Sequence, residues 1–349
     1  MTSWLSELFS RKARGAAGSA PGDAAPLRAP ASPAGPAALA PSAEQILRRL
    51  EWSVIRRLDG LLQGDYRTLM RGAGLDLADL REYQHHDDVR HIDWNVTARL
   101  QQPHVRVFTE DREMAAWFLL DLSPSMDFGS GAQRKRQLST EFVAVLARLL
   151  TRHGNRVGAL LYGTGVDAVI PARGGRGHVL QLLHTLHTRP STAAVDGAGT
   201  RLHELLASAA GVVRRRSTVF VVSDFISAPG WEKPLAQLAM RHEVVAVRLV
   251  DPLEQALPDL GLIPIRDLET GEQLLVDTSD PGFRARFADL ATRREADLRA
   301  ALARASVDTL ELTTGGDLVD TVMRFAELRR QRTRLSAGGG LPRHLRQAA

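Results

Sequence analysis

Three oxygen-bearing side chains follow the apolar run 115–120 at alternate positions: Asp121, Ser123 and Ser125. In an extended chain alternate residues face the same side, so these three side chains can direct their oxygens at one place. One carboxylate and two hydroxyls are hard ligands of the kind that suits Mg²⁺ or Mn²⁺. Asp, Ser and Pro are also common turn residues, so these positions alone fit an ordinary turn as well as a metal site.

Two later residues occupy comparable positions. Thr200 ends a Gly-Ala-Gly-Thr stretch directly before a predicted helix, and Asp224 follows the apolar run 219–222. Each has a plain structural alternative, a helix N-cap for Thr200 and a turn or cap for Asp224. In parallel α/β sheets, however, ligands bind at the carboxyl ends of the strands. The sequence therefore favours one site for Mg²⁺ or Mn²⁺ made of five residues: Asp121, Ser123, Ser125, Thr200 and Asp224.

The elements around these residues alternate between strands and helices from 114 to 332. Short apolar runs, typical of strands buried on both faces, lie between segments whose apolar residues recur at helical spacing. The runs are 115–120, 157–162, 166–170, 219–222, 244–249 and 307–312. This alternation predicts an α/β fold with a doubly wound, mainly parallel sheet flanked by helices. Gly, Pro and alternating residues predict a small β-hairpin insertion at about 252–278.

The chain on either side differs in composition. Residues 1–41 are dominated by Ala, Pro, Gly and Ser, which predicts a disordered N-terminal segment. A capping-box pattern at Ser42 and Gln45 opens an amphipathic helix, the first part of an extension over 42–113. The Gly- and Arg-containing residues 333–349 are expected to form a flexible basic tail.

Composition limits the possible function. The formal charge is +5 with only 5% aromatic residues, and no nucleic-acid motif accompanies the C-terminal arginines, so we expect no nucleic-acid partner. The chain has no cysteine, which excludes disulfides and thiolate metal sites. It also has no apolar run of the roughly 18–20 residues that span a bilayer. We therefore expect a cytoplasmic protein without an integral membrane segment.

The segment 85–93 is rich in histidine and aspartate, with His85, His86 and His91 among its residues. Such a cluster could serve a metal-dependent hydrolase or phosphoesterase acting together with Asp121. Adjacent residues usually diverge on a strand or helix, and the segment has no HExxH spacing. A hydrogen-bonded structural or interaction segment is the preferred interpretation, and the hydrolase is the alternative.

Two motifs in this sequence resemble those of a known family. The Asp-x-Ser-x-Ser motif at 121–125, with the later Thr200 and Asp224, is similar to the metal-ion-dependent adhesion site of von Willebrand factor A-type domains. The upstream segments resemble the signature of the bacterial family called domain of unknown function 58; they are 80–83, 87–90, 92–94 and 98–99. That family is a von Willebrand A-like group often found beside MoxR-type AAA+ ATPases. His86 stands where the family usually has Gly.

The resemblance covers roughly residues 42–332 and implies a von Willebrand A-like fold and a function in binding. Asp121, Ser123, Ser125 and Thr200 would contact the cation directly or nearly so, and Asp224 would act through water. An Asp or Glu of a partner protein would complete the coordination. The implied protein is not an enzyme. It is a metal-dependent adaptor that acts with a MoxR-type AAA+ ATPase in chaperone-like remodelling or maturation of client proteins.

Overall fold

The computed structural model of this protein describes residues 42–55, 58, 79–84, 89, 92–107, 115–190, 199–268 and 273–337. Its strands are β1 (Asp79–Glu82), β2 (His104–Val107), β3 (Ala115–Asp121), β4 (Arg156–Tyr162), β5 (Val166–Arg173), β6 (Thr218–Ser223), β7 (Glu243–Val250), β8 (Leu262–Arg266), β9 (Gln273–Asp277) and β10 (Asp308–Thr313). Its α-helices are α1 (Ala43–Leu50), α2 (Trp94–Leu100), α3 (Lys135–Arg152), α4 (Arg176–Thr188), α5 (Leu202–Val212), α6 (Glu232–Arg241), α7 (Pro252–Gln255), α8 (Pro281–Arg304) and α9 (Leu318–Ala337).

Six of the strands form a central sheet in the order β10-β7-β6-β3-β4-β5. The first five strands of that order are mutually parallel, and β5 runs antiparallel to β4. Only residues 163–165 join β4 to β5. A connection this short makes a hairpin, whereas a parallel pair needs a crossover of a dozen residues or more. The expected α/β class, a mainly parallel sheet flanked by helices, is confirmed, with one antiparallel strand at its edge.

The sheet is buried on both faces. Successive residues of each strand point to opposite faces, and each face packs against its own set of helices. In β3, Phe118 and Leu120 join an apolar cluster that contains residues of α1, α3, α4 and α9. Trp117 and Leu119 join a second cluster, with residues of α5, α6 and α8. Across the first cluster Phe118 stacks on Phe220 of β6, with ring centroids 5.4 Å apart. Helices thus cover both faces, which explains the continuous apolar run in the sequence.

The remaining elements follow the predicted plan with some differences in extent. Ser42 and Gln45 form the predicted reciprocal capping box of α1. β8 and β9 pair as the predicted antiparallel hairpin, which is preceded by the helical turn α7. Helix α9 continues to Ala337, beyond the position 332 predicted for its end. The segments 1–41 and 338–349, expected to be disordered or flexible, lie outside the described residues.

Within the described part of the chain, no helix is both long enough and apolar enough to cross a lipid bilayer. Charged residues are spread along its longest helices instead. In α9, Arg329 is buried, forms ion pairs with Glu243 and Asp308, and stacks on Phe325 with 5.5 Å from the guanidinium carbon to the ring centroid. This basic residue is thus part of the protein interior, although it belongs to the arginine-rich C-terminal part of the sequence.

Candidate functional site

Two of the five candidate residues meet where β3 and β6 end. Asp121 is the last residue of β3, and Asp224 directly follows Ser223, the last residue of β6. The two strands are parallel neighbours, with Leu120 opposite Val222, so their carboxyl ends lie side by side. The hydroxyl of Ser223 donates a hydrogen bond of 2.6 Å to Oδ2 of Asp121. The predicted meeting of these strand ends is therefore observed.

The turn after β3 brings the two serines to the same place. Oδ1 of Asp121 accepts a hydrogen bond of 3.0 Å from the backbone N–H of Ser123. A 3-10 helical turn, Pro124–Asp127, follows and contains Ser125. The hydroxyl oxygens of Ser123 and Ser125 are 3.2 Å apart, and all three side chains are buried. The alternate spacing in the sequence thus gives a compact group of oxygens.

Thr200 lies at the same edge of the sheet and is buried. Its carbonyl oxygen accepts a hydrogen bond of 2.9 Å from the hydroxyl of Ser227, in the loop after β6. The next backbone N–H, that of Arg201, donates to the hydroxyl of Tyr162 at the end of β4, at 3.1 Å. The N-cap position of α5 is Arg201, and the N–H of Leu202 donates to Ser227. Thr200 is therefore not the N-cap of this helix, which was the structural alternative to a role in metal binding.

Asp224 takes part in a turn and in a buried ion pair. Its Oδ1 accepts a hydrogen bond of 2.9 Å from the N–H of Ile226, and its Oδ2 lies 2.6 Å from Nζ of Lys135. The same Nζ lies 2.7 Å from Oε1 of Glu254. The Lys135 side chain has 0% of its surface exposed. A buried ammonium group thus joins the candidate site to α7.

Lys135 and Glu254 were not among the residues singled out from the sequence. Lys135 stands between Arg134 and Arg136, in a stretch that has the appearance of a solvated basic helix start. One signal was available: only three of the 45 Lys and Arg residues are lysines, at 12, 135 and 233. An ammonium group is compact and fits between two carboxylates, whereas the planar guanidinium of Arg is larger.

Asp251 holds Glu254 in place. Asp251 directly follows Val250, the last residue of β7. Its Oδ2 accepts hydrogen bonds from the Ser130 N–H at 2.8 Å and from the Thr314 hydroxyl at 2.7 Å. Its own N–H donates to Glu254 at 3.1 Å as part of the capping box of α7. Asp251 therefore ties three loops together and directs Glu254 towards Lys135.

The charges at the site act on one another. Burial, followed by the negative charge of Asp224, raises the pKa of Asp121 to about 6, although hydrogen bonds from Ser223 and Ser123 oppose the rise. Burial disfavours the charged form of Lys135, but the attraction of Asp224 and Glu254 outweighs it, so the pKa of Lys135 is raised. Burial is also the main reason why the pKa of Glu254 is raised. Burial and the neighbouring charge of Asp224 thus both disfavour the ionised form of Asp121.

These donors fit a hard divalent cation. In an octahedral Mg²⁺ shell with ligands at about 2.1 Å, adjacent ligands are about 3.0 Å apart. The 3.2 Å separation of the Ser123 and Ser125 hydroxyls is close to that value. The raised pKa of Asp121 indicates unbalanced negative charge that a cation would offset. No group of three or more His, Asp or Glu side chains is placed to hold a metal among the described residues.

The alternative cluster at 85–93 is described only in part. His85, His86 and His91 lie outside the described residues. Asp93 is buried, and its Oδ1 accepts a hydrogen bond of 3.2 Å from the N–H of Val96 in the first turn of α2. This contact gives Asp93 a structural role at a helix start. The hydrolase alternative itself stays untested.

Comparison with known proteins gives relatives in mycobacteria. The chain is 36% identical over 291 residues to the uncharacterized protein Rv1480 of Mycobacterium tuberculosis, covering 83% of this chain and 91% of that protein. It is 33% identical over 162 residues to the uncharacterized protein MAV169 of Mycobacterium avium, covering 46% of this chain and 94% of that protein.

Among solved structures, the chain is similar to the conserved hypothetical protein BatB of Bacteroides thetaiotaomicron, at 12% identity and a TM-score of 0.40, over 63% of this chain and 99% of that one. It is also similar to the SpRpn10 VWA domain, at 15% identity and a TM-score of 0.33, over 60% of this chain and 93% of that domain. A family model described as "Protein of unknown function DUF58" matches residues 79–297. The chain therefore belongs to the DUF58 family, as the upstream signature had indicated.

Proposed function

We propose that this protein is a non-enzymatic adaptor that binds a partner protein through a Mg²⁺ or Mn²⁺ ion. The ion would be held by five residues: Asp121, Ser123, Ser125, Thr200 and Asp224. The observation that carries the proposal is that all five are buried at one edge of the parallel sheet, with the two serine hydroxyls 3.2 Å apart and Ser223 linking the two strand ends. The mainly parallel α/β fold is consistent with an interaction domain.

The residue types suggest a division of roles. Asp121 and the hydroxyls of Ser123 and Ser125 would be direct ligands. Asp224 already accepts a hydrogen bond at each oxygen, from Lys135 and Ile226, so contact through water suits it better than direct ligation. A hard cation held by few protein ligands keeps exchangeable positions. A carboxylate of a partner's Asp or Glu could fill one of these positions, which makes binding metal-dependent.

The surface next to the site suits a protein partner. Ile226, two residues after Asp224, has 41% of its surface exposed although it is apolar. The side chain of Arg201, next to Thr200, is about half exposed and pairs with Glu204 at 3.0 Å. A partner carboxylate that reached the cation would thus meet apolar and charged side chains beside it, as protein interfaces commonly provide.

We further propose that the partner is a MoxR-type AAA+ ATPase and that the adaptor presents client proteins for chaperone-like remodelling or maturation. This part of the proposal rests on the family resemblance, in which such genes often occur together. The cytoplasmic location likewise remains a prediction.

The test is a binding assay between the full-length protein and a purified MoxR-type ATPase from the same organism, in Mg²⁺ and in EDTA. We expect binding in Mg²⁺ only, and loss of binding in Asp121→Ala with an unchanged circular dichroism spectrum. Asp259→Ala is the matched control, because the Asp259 side chain is 60% exposed and lies outside the site. Binding that is indifferent to both EDTA and Asp121→Ala would refute metal dependence, and no binding in any condition would refute this partner.

A further inference from the structure

A fixed positive charge lies beside the candidate metal site. Nζ of Lys135 is 2.6 Å from Asp224 and 2.7 Å from Glu254, and its side chain is completely buried. Most lysines reach water with their ammonium group, and full burial requires paired partners. Lys135 has two such partners, on two different elements of the fold. The ammonium group is therefore a built component of this site.

The backbone and neighbours of Lys135 leave its side chain little freedom. Its N–H donates a hydrogen bond of 2.9 Å to the carbonyl oxygen of Phe128, whose ring centroid is 5.8 Å from Nζ. Glu254 is held from the other side by the capping box with Asp251. Moving the ammonium away would leave the buried carboxylate of Asp224 and the partly buried carboxylate of Glu254 without their cation, which is unfavourable.

The charge balance of the cluster follows from these contacts. The carboxylates of Asp224 and Glu254 contact the ammonium group, and Asp121 interacts with Asp224, so the ionised cluster of three carboxylates and one ammonium carries a net charge of −2. A divalent cation at the Asp121 end would be attracted by that remaining charge and repelled by the ammonium. Without Lys135 the same cluster would carry −3 and would attract the cation far more strongly.

We infer that Lys135 is a built-in counter-cation that weakens the affinity of this site for divalent metal and makes tight metal binding depend on an added carboxylate from a partner. The inference rests on the proposed metal-dependent function and deepens it. Lys135 neutralises Asp224 in the metal-free protein and so keeps the fold intact without metal. The carboxylate of a partner then restores the negative charge that a firmly held cation needs.

The inference is tested by calorimetric titration of the full-length protein with Mg²⁺ and with Mn²⁺. Lys135→Met should bind either ion at least about tenfold more tightly than the wild type, since one nearby repelling charge is removed. Lys233→Met is the matched control: Lys233 is exposed on α6, so the net charge changes equally and the affinity should stay the same. Asp121→Ala should abolish binding in every background.

A second pair of variants covers the case in which Lys135→Met fails to fold. Glu254→Gln removes one of the two acidic partners, and the double variant Lys135→Met/Glu254→Gln leaves only Asp224 without its cation. The double variant should bind Mg²⁺ at least about tenfold more tightly than Glu254→Gln alone. Thermal unfolding in EDTA and in Mg²⁺ provides a second measurement: the Mg²⁺-induced rise in Tm should be larger whenever Lys135 is absent.

The outcomes separate this inference from the function on which it rests. If the wild type and the folded Lys135 variants bind Mg²⁺ equally, or the variants bind it more weakly, the counter-cation role is overturned and the metal site stands. If no variant shows saturable binding that Asp121→Ala removes, the metal-dependent function fails, and the role of Lys135 fails with it.

Discussion

Replacing Asp121 by Asn should stabilise the metal-free protein. Asp121 is completely buried, and its pKa is raised to about 6 from 3.8. Because the folded-state pKa is the higher one, the folded protein loses stability as pH rises from about 4 through 6. The difference of about 2 pKa units corresponds to roughly 3 kcal/mol at pH 7.5. Asn removes the charge that causes this loss.

Weaker hydrogen bonding offsets part of this stabilisation. The Asn side-chain oxygen can still accept from the N–H of Ser123, but its amide group faces the Ser223 hydroxyl, which now donates to Asp121. Disturbing this bond costs about 1 kcal/mol. We therefore expect Asp121→Asn to raise the free energy of unfolding by about 2 kcal/mol, measured by urea denaturation in EDTA at pH 7.5. The difference from the wild type should shrink as pH falls and reverse its sign near pH 4, where folded Asp121 is protonated and only the hydrogen-bond loss remains.

Asp251→Asn is the matched control, with the opposite expected sign. Burial raises the pKa of Asp251, but hydrogen bonds from Ser130, Thr314 and Leu253 outweigh it, so its pKa is lowered. The stability that this carboxylate provides is present above its unfolded-state pKa and is lost as pH falls through the folded-state pKa. Asp251→Asn should thus be less stable at pH 7.5. If Asp121→Asn were also destabilised there, the idea of unbalanced charge at Asp121 would be refuted.

Two further substitutions test the packing around the sheet. Gly158→Ala would place a Cβ 2.8 Å from two ring carbons of Trp117, so we expect the free energy of unfolding in urea to fall by about 1–3 kcal/mol. Arg329→Met would leave the acidic partners Glu243 and Asp308 without their buried cation, and we expect a loss of about 3 kcal/mol, seen as a lower Tm. An unchanged Tm for Arg329→Met would show that the ion pairs contribute nothing net.

The sheet could be predicted from the sequence because its strands are buried on both faces. The runs 115–120 and 219–222 are continuous and apolar, and each became a strand within one or two residues of the predicted ends. The placement of Asp121 and Asp224 followed directly, since residues that end parallel strands share one edge of the sheet. The antiparallel direction of β5 was equally available in principle, because the connection at 163–165 is too short for a crossover.

Lys135 could not be placed in this way, because its role depends on contacts distant along the chain. Asp224 is 89 residues away and Glu254 is 119 residues away, and both meet Lys135 only once α3, β6 and α7 are packed together. Locally, Lys135 opens an amphipathic helix between two arginines, where a basic residue is usually solvated. The five motif residues thus indicate where a cation would bind. If Lys135 acts as the counter-cation, the packing around it determines how tightly the divalent cation binds. A chain with the same five motif residues but an apolar residue at this helix start should therefore hold the metal ion without a partner.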